Sequence, residues 1–227
     1  MTEAASNLPA KLPPQVLPFA LFMAFIGIEE VLRSLGLPGL PPYAAYPLKT
    51  VATAALLLFL RKSYRELEFR DLLAPLPTLL SVTLGVAVFL LWIRMDWGFA
   101  TLGTPAGYNP QVFGAAAPLL AGIRLFGAAA VVPVMEELFW RSFLLRYLIA
   151  PDFSRVAVGR FTWSSFLIAT ALFGLEHNLY LAGMMAGAAY NLLLYRTKSV
   201  AQCILCHAVT NLALGIYVLC TGNWQFW

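Results

Sequence analysis

Charge is what this chain has least of. Lys, Arg, Asp and Glu together make up 11% of its 227 residues, while 60% are hydrophobic. Soluble domains carry roughly 25% charged residues. A soluble fold of this length could not cover its surface with so few polar groups, but lipid solvates an apolar exterior. Basic clusters are lacking as well. The net charge is only +4, and no Lys/Arg run resembles a nucleic-acid stripe, so nucleic acid is excluded as a partner. Cysteine is scarce: Cys203, Cys206 and Cys220 all lie in one apolar stretch near the end, which is no disulfide framework. A cleavable signal peptide is not visible either. Residues 1–15 are polar and proline-bearing, and Glu29, Glu30 and Arg33 follow the first apolar run where a small-residue cleavage site would stand. The expected organisation is a cytoplasmic tail over residues 1–15, then a single membrane domain over 16–227.

What is present is a series of apolar runs of membrane-spanning length. They predict an all-α, polytopic transmembrane bundle of about seven spans. The first four lie near Val16–Leu32, Pro47–Leu60, Leu76–Ile93 and Pro118–Leu148, the last interrupted by Pro133. The fifth and sixth share the stretch Phe161–Tyr195, with a turn near Asn178, and the seventh is Val200–Leu219. Between them lie a proline-rich break at Leu37–Pro42, a charged linker from Arg61 to Asp71, and a Gly/Pro loop from Gly98 to Pro110.

Seven alternating spans divide the basic residues unequally. Lys11, Arg61, Lys62, Arg65, Arg70, Arg146, Arg155, Arg160, Arg196 and Lys198 fall on one side, against Arg33, Lys49 and Arg94 on the other. The positive-inside rule then places the N-terminus in the cytoplasm and the C-terminus outside a cell (inner) membrane. Trp224 and Trp227 suit an interfacial aromatic belt.

Ionisable groups inside a span cost at least ~2.5–3.5 kcal/mol, so they are functional candidates by default. Here they form three short patterns in a core at residues 115–219. The first is Glu136-Glu137-Leu138-Phe139-Trp140-Arg141. Glu137 and Arg141 share a helix face in the favourable order for an ion pair. Glu136 lies about 100° around the helix with no cation at helical spacing. A carboxylate without such a partner is free to exchange a proton, as a general base or acid must. The second pattern is Phe173-Gly174-Leu175-Glu176-His177, in which Phe173 and His177 share a face and Glu176 points elsewhere, towards the expected turn. The third is His207-Ala208-Val209-Thr210-Asn211, where His207 and Asn211 share a face and could hold an oxyanion.

Each pattern has a plainer reading, as an ion pair or hydrogen bond that locks helices together. Their combination favours chemistry. These are the only two histidines in the chain. A carboxylate and two imidazoles can activate a water, and Glu136, His177 and His207 could also be three ligands of a divalent metal such as zinc. A glutamate mechanism would need no cofactor. Cys203-Ile204-Leu205-Cys206-His207 matches the haem-attachment string C-x-x-C-H, but it lies inside an apolar helix, where small core residues are the better reading. Glu29, Glu30 and Arg33 look like a second acidic motif at different spacing, and a Glu29–Arg33 pair is expected to act in anchoring or packing.

Glu-Glu-x-x-x-Arg, Phe-x-x-x-His and His-x-x-x-Asn, in this order on successive membrane helices, resemble the CPBP family of CAAX prenyl endopeptidases and bacteriocin-processing (Abi) proteins. The wider pattern, with Glu176-His177-Asn178 and the tail from Asn223 to Trp227, looks most like the bacterial exosortase-associated CAAX-protease-related branch. The resemblance implies an intramembrane endopeptidase, of glutamate or metalloprotease type. Glu136 and His177 would activate water, His207 and Asn211 would stabilise the oxyanion, and Glu137 and Arg141 would form an orienting ion pair. Its partners would be membrane lipid and a membrane-associated protein or peptide substrate. Ser142 stands where many members have glycine, a departure expected to affect packing more than chemistry. The alternatives are a non-catalytic membrane scaffold and a proton-coupled transporter.

One geometric demand follows. His207 lies about 13 Å beyond Lys198 along a helix, whereas His177 falls near the far end of span five. The fifth span must begin deeper, tilt or turn back for the two imidazoles to meet.

Overall fold

Helices account for about three quarters of the structure, as the apolar runs require. The computed structural model describes residues 12–103 and 107–227, with Pro42 described by its backbone alone. Lys11 and most of the expected N-terminal tail lie outside the described residues.

Among the described residues, seven long helical stretches follow one another, joined in places by short helical turns. These are α1 (Leu17–Ser34), α2 (Pro42–Leu60), α3 (Pro75–Trp92), a composite α4 (Pro110–Tyr147), α5 (Trp163–Leu175), α6 (Tyr180–Thr197) and α7 (Val200–Thr221). Among the described residues there is no strand, only an isolated bridge between Thr101 and Leu179. The helices α2, α3, α4 and α7 are long and apolar enough to cross a bilayer. Their outer faces carry Phe59, Leu76, Leu79 and Leu119, each at least 60% exposed. In water such a surface would aggregate; against acyl chains it is the ordinary exterior.

Two helices depart from what the hydropathy predicts. α2 begins at Pro42, not Pro47, and runs through Pro47. The composite α4 opens with a short turn, Pro110–Ala116, that kinks at Gly114; its α-helical part starts at Ala117, beside the expected Pro118, and Pro133 does not break it. Instead the chain widens into a π-helical segment, Gly127–Val131, directly before the proline, and a second, Leu138–Leu144, after it. In that wider register Val132 donates to Gly127 O. The next amide, which would reach Ala128 O, belongs to Pro133 and has no N–H. Asn211 of α7 supplies the missing donor, its Nδ2 lying 2.8 Å from Ala128 O.

α3 and α7 are joined by polar contacts at two depths. Near the start of α7, Gln202 accepts from Ser81 at 2.7 Å and donates to Thr78 at 3.0 Å and to Asp71 O at 2.8 Å. Two turns further on, Thr210 donates to Gly85 O at 2.9 Å. Gly85 permits this approach, because a Cβ there would stand 2.5 Å from Cys206 O. Gln202, Cys206 and Thr210 thus face α3. His207 follows Cys206 by 100° of helix rotation and is turned towards α4 and α6.

The hairpin α5–α6 meets the geometric demand set by the histidines. α5 has 13 residues and spans about 20 Å, short of a ~30 Å hydrocarbon core. The chain turns at Glu176–Leu179 and returns as α6. Glycine lets the two arms close. A Cβ on Gly174 would meet Met184 Cγ at 2.2 Å and Tyr180 O at 2.6 Å, and one on Gly183 would meet the Gly174 backbone at 2.9 Å. Small residues at such crossings bring membrane helices into backbone contact. His177 sits in that turn and faces the protein interior.

The linkers after α2, α4 and α6 meet at one end of the bundle. Glu66 accepts from Gln15 at 2.8 Å and from Ser142, and Arg146 lies 3.5 Å away. Lys198 donates to Gly159 O at 2.5 Å. Ser142 therefore ties α4 to the charged linker and also accepts from Arg146 at 2.9 Å, a packing role. Burial between these charges raises the Tyr64 phenol to about 12, through desolvation and the Glu66 carboxylate. At the other end, Arg33 pairs with Glu30 at 2.7 Å, not with Glu29 as the four-residue spacing predicts. That pair is exposed, and either spacing is compatible with a helix.

Candidate active site

A cavity of about 410 Å³ opens between the seven helices and the C-terminal segment, and Glu136, His177, His207 and Asn211 all line it. The three sequence patterns therefore converge on one space. Within it the side chains are held very differently.

Glu137 is at the centre of a buried ion-pair cluster. It is fully buried, and Arg141 is 1% exposed. Arg141 Nη1 donates to Glu137 Oε1 at 3.2 Å, and its Nε lies 3.1 Å from Oε2. The guanidinium also reaches Gly187 O on α6 at 3.4 Å and lies over the rings of Phe173 and Tyr190, at 4.4 and 5.2 Å. The pair thus binds α4 to the α5–α6 hairpin. Spacing alone did not show the third member. His207 Nδ1 lies 2.8 Å from Glu137 Oε1. A carboxylate can only accept, so Nδ1 carries a proton and Nε2 is turned away from Glu137. Tyr190 stacks on the same imidazole, with centroids 5.1 Å apart, and donates its hydroxyl to Thr210 at 2.9 Å. His207 is thereby fixed in both position and tautomer.

Glu136 is 6% exposed, and its Oε2 is buried without a hydrogen-bond partner among the described residues. Four residues on, Trp140 shares its helix face. Trp140 donates through Nε1 to Glu176 Oε2 at 3.1 Å. Glu176 is the main departure from the sequence reading of this cluster. It stands at the expected turn, between α5 and α6, but it does not point elsewhere: it lines the same cavity. Helical periodicity misplaced it because the helix ends at Leu175. Its position beside His177 was the only available signal.

His177 is oriented through its backbone neighbours. Its Nδ1 lies 2.8 Å from Phe173 O, which can only accept, so the neutral ring presents Nε2 as a lone pair. Trp92 packs edge-on at 5.3 Å and Phe173 at 4.9 Å. Phe173 lies between the two histidines, with 6.3 Å to His207. Asn211 spends one N–H on Ala128 O and keeps its second N–H and its carbonyl oxygen.

Cys203 and Cys206 are fully buried free thiols, and Cys203 Sγ lies 3.6 Å from Tyr190 O. Cys203 packs α7 against α6. Among the described residues no three His, Cys, Asp or Glu side chains gather closely enough to hold a metal ion. Glu136, His177 and His207 share a cavity but do not form such a ligand set.

The fold and this cavity define a class: an all-helical membrane protein with carboxylates and imidazoles built into its core. The family is more specific. Residues 118–213 match the family model for Rce1-like, type II CAAX prenyl endopeptidase, a likeness consistent with the CPBP family. It begins within α4 and ends just past Asn211, so it holds all three motifs. That likeness supports a peptidase, in general an intramembrane endopeptidase. No curated protein and no solved structure gives a significant match to the chain.

Proposed function

We propose that this protein hydrolyses a peptide bond of a membrane-associated protein or peptide inside the cavity, with Glu136 and His177 activating water and His207 and Asn211 stabilising the oxyanion. One observation carries the reading: the unpartnered, buried oxygen of Glu136 belongs to the same cavity as both imidazoles and the carboxamide.

The roles follow from hydrogen-bonding capacity. A water between Glu136 and the His177 Nε2 lone pair meets two acceptors. Its proton passes to Glu136 as its oxygen attacks the carbonyl carbon. The carbonyl oxygen gains charge and needs donors. Asn211 has a spare N–H, and His207 can donate from Nε2 when the Glu137 carboxylate balances its second proton. Collapse of the tetrahedral species breaks the C–N bond, and the proton on Glu136 leaves with the amine. Arg141 compensates Glu137 throughout. No step calls for a metal ion or a prenyl group.

In the membrane, residues 16–227 form one domain with the linkers after α2, α4 and α6 in the cytoplasm. The contacts of Glu66 with Gln15 and Ser142, and of Lys198 with Gly159, support a common side for these segments. The cavity mouth then faces outwards. Fusion of reporter domains after Tyr64 and after Met95 tests this orientation: activity of a periplasmic reporter at the first position would overturn it.

The activity is tested with purified protein in liposomes and a membrane-anchored peptide. Cleavage that is lost in Glu136→Ala and His177→Ala, with the fold intact, supports the reading. Full activity in both variants would leave a scaffold role, in which the Glu137–Arg141–His207 cluster holds helices together.

A further inference from the structure

Two cations of the cavity take no part in the chemistry described so far. Lys49 of α2 and Arg124 of α4 line the same cavity as Glu136 and His177. Neither forms an ion pair among the described residues. Glu29 exerts its field on Lys49 but lies beyond contact distance. Arg124 Nε has no hydrogen-bond partner among the described residues. Its guanidinium is held by faces of aromatic rings instead: Tyr46 at 4.2 Å, Tyr108 at 5.7 Å and Trp227 at 6.0 Å. Lys49 Nζ lies 5.0 Å from the Phe22 ring and 5.4 Å from Tyr46. Aromatic faces position a cation and leave its hydrogen-bond donors unspent. A charge left unpaired at membrane depth is costly unless it has a partner to meet.

The cavity is therefore polarised along α4, with Glu136 and Glu176 (held by Trp140, one turn on) at one end and the cations Lys49 and Arg124, gathered around Tyr46, at the other. We propose that Lys49 and Arg124 form a subsite for a carboxylate carried by the substrate peptide. The proposal rests on the peptidase reading and names the substrate class. Arg124 and Glu136 are twelve residues apart on α4, about 18 Å of helix. An extended peptide covers that distance with about five residues. The carboxylate thus stands about five residues from the scissile bond, as an acidic side chain or the peptide's own C-terminus. Both cations are half-buried in the cavity wall that Glu136 also lines, which favours a peptide group entering the cavity over a lipid phosphate.

Binding is measured in detergent micelles in the Glu136→Gln background, where turnover does not interfere. The probes are dansylated, N-dodecanoylated alanine decapeptides in three forms: a neutral amide, an amide with one internal Glu, and a neutral sequence with a free C-terminus. At least one carboxylate form binds about tenfold more tightly than the neutral amide, and which one does so identifies the source of the charge. Arg124→Gln and Lys49→Gln each reduce the preference, while Arg124→Lys, which keeps the charge, retains most of it. Equal binding of all three probes, or a preference unchanged in both glutamine variants, overturns the subsite. Cleavage of neutral and acidic peptides alike by the unmutated protein sinks the subsite and leaves the peptidase standing. A carboxylate preference without cleavage of any peptide does the reverse.

Discussion

Glu136 and Glu137 are adjacent in the chain and live in opposite surroundings. Glu137 is fully buried, contacts Arg141 through both oxygens, and accepts from His207 at 2.8 Å. Glu136 is rotated about 100° from it, faces the cavity and keeps one buried oxygen without a partner. The same side chain serves as a joint in one position and is left free in the next. A carboxylate committed to a guanidinium and an imidazole holds three helices in place. One that is uncommitted can accept a proton from water.

The most direct way to break this comparison is to neutralise each glutamate in turn. Glu136→Gln keeps shape and removes the base. Cleavage falls about 10²–10⁴-fold, the usual contribution of a positioned acid–base group, with the thermal midpoint preserved. Glu137→Gln does the opposite in its first effect. It leaves the Arg141 guanidinium buried without a counter-charge, and stability falls by about 3–5 kcal/mol. Thermal unfolding in detergent, read beside the cleavage rate, separates the two. Equal loss of stability in both variants would show that the two glutamates form one structural unit.

Much of this was readable from the sequence, for identifiable reasons. Apolar run length located seven helices because lipid leaves the backbone few alternatives. The i,i+4 spacing found the Glu137–Arg141 pair and left Glu136 without a partner. What the sequence hid depends on irregular backbone. Periodicity assumes a helix that continues, so it turned Glu176 away from a cavity that it lines. Hydropathy reads Pro133 as an interruption, whereas the chain accommodates it with a π segment and a hydrogen bond from Asn211. The Glu137–His207 contact joins residues 70 apart, which no local pattern reports. Ordering the three motifs on successive helices did bring them to a common core, but the depth of His177 followed from the shortness of α5 and the glycines of its turn.

Asn211 sharpens the comparison, because it has a foot in each environment. One N–H closes the gap left by Pro133, and the other is free to meet an oxyanion. Asn211→Ala lowers kcat about 10²–10³-fold if the donor acts in the transition state, the range for a lost oxyanion-hole group. The broken bond to Ala128 also lowers stability, by about 1 kcal/mol. The oxyanion role predicts a fall in kcat larger than any change in KM. A variant that loses only stability would assign Asn211 to the structural side, beside Glu137.

The smallest expected effect concerns metal removal, and it is informative because two features point in different directions. Each histidine bonds through Nδ1, one to a carboxylate and one to a carbonyl, which is how metal-binding imidazoles are often braced. A ligand set also needs a third donor close to both, and among the described residues no three such groups gather. If Glu136 acts as a base without a metal ion, prolonged chelation changes the cleavage rate by no more than about twofold. Loss of activity on chelation, restored by zinc and by no other treatment, would mean that Glu136, His177 and His207 close around an ion. In that case the oxygen of Glu136 that is unpartnered here would be a ligand, and its freedom, not its basicity, would be what distinguishes it from Glu137.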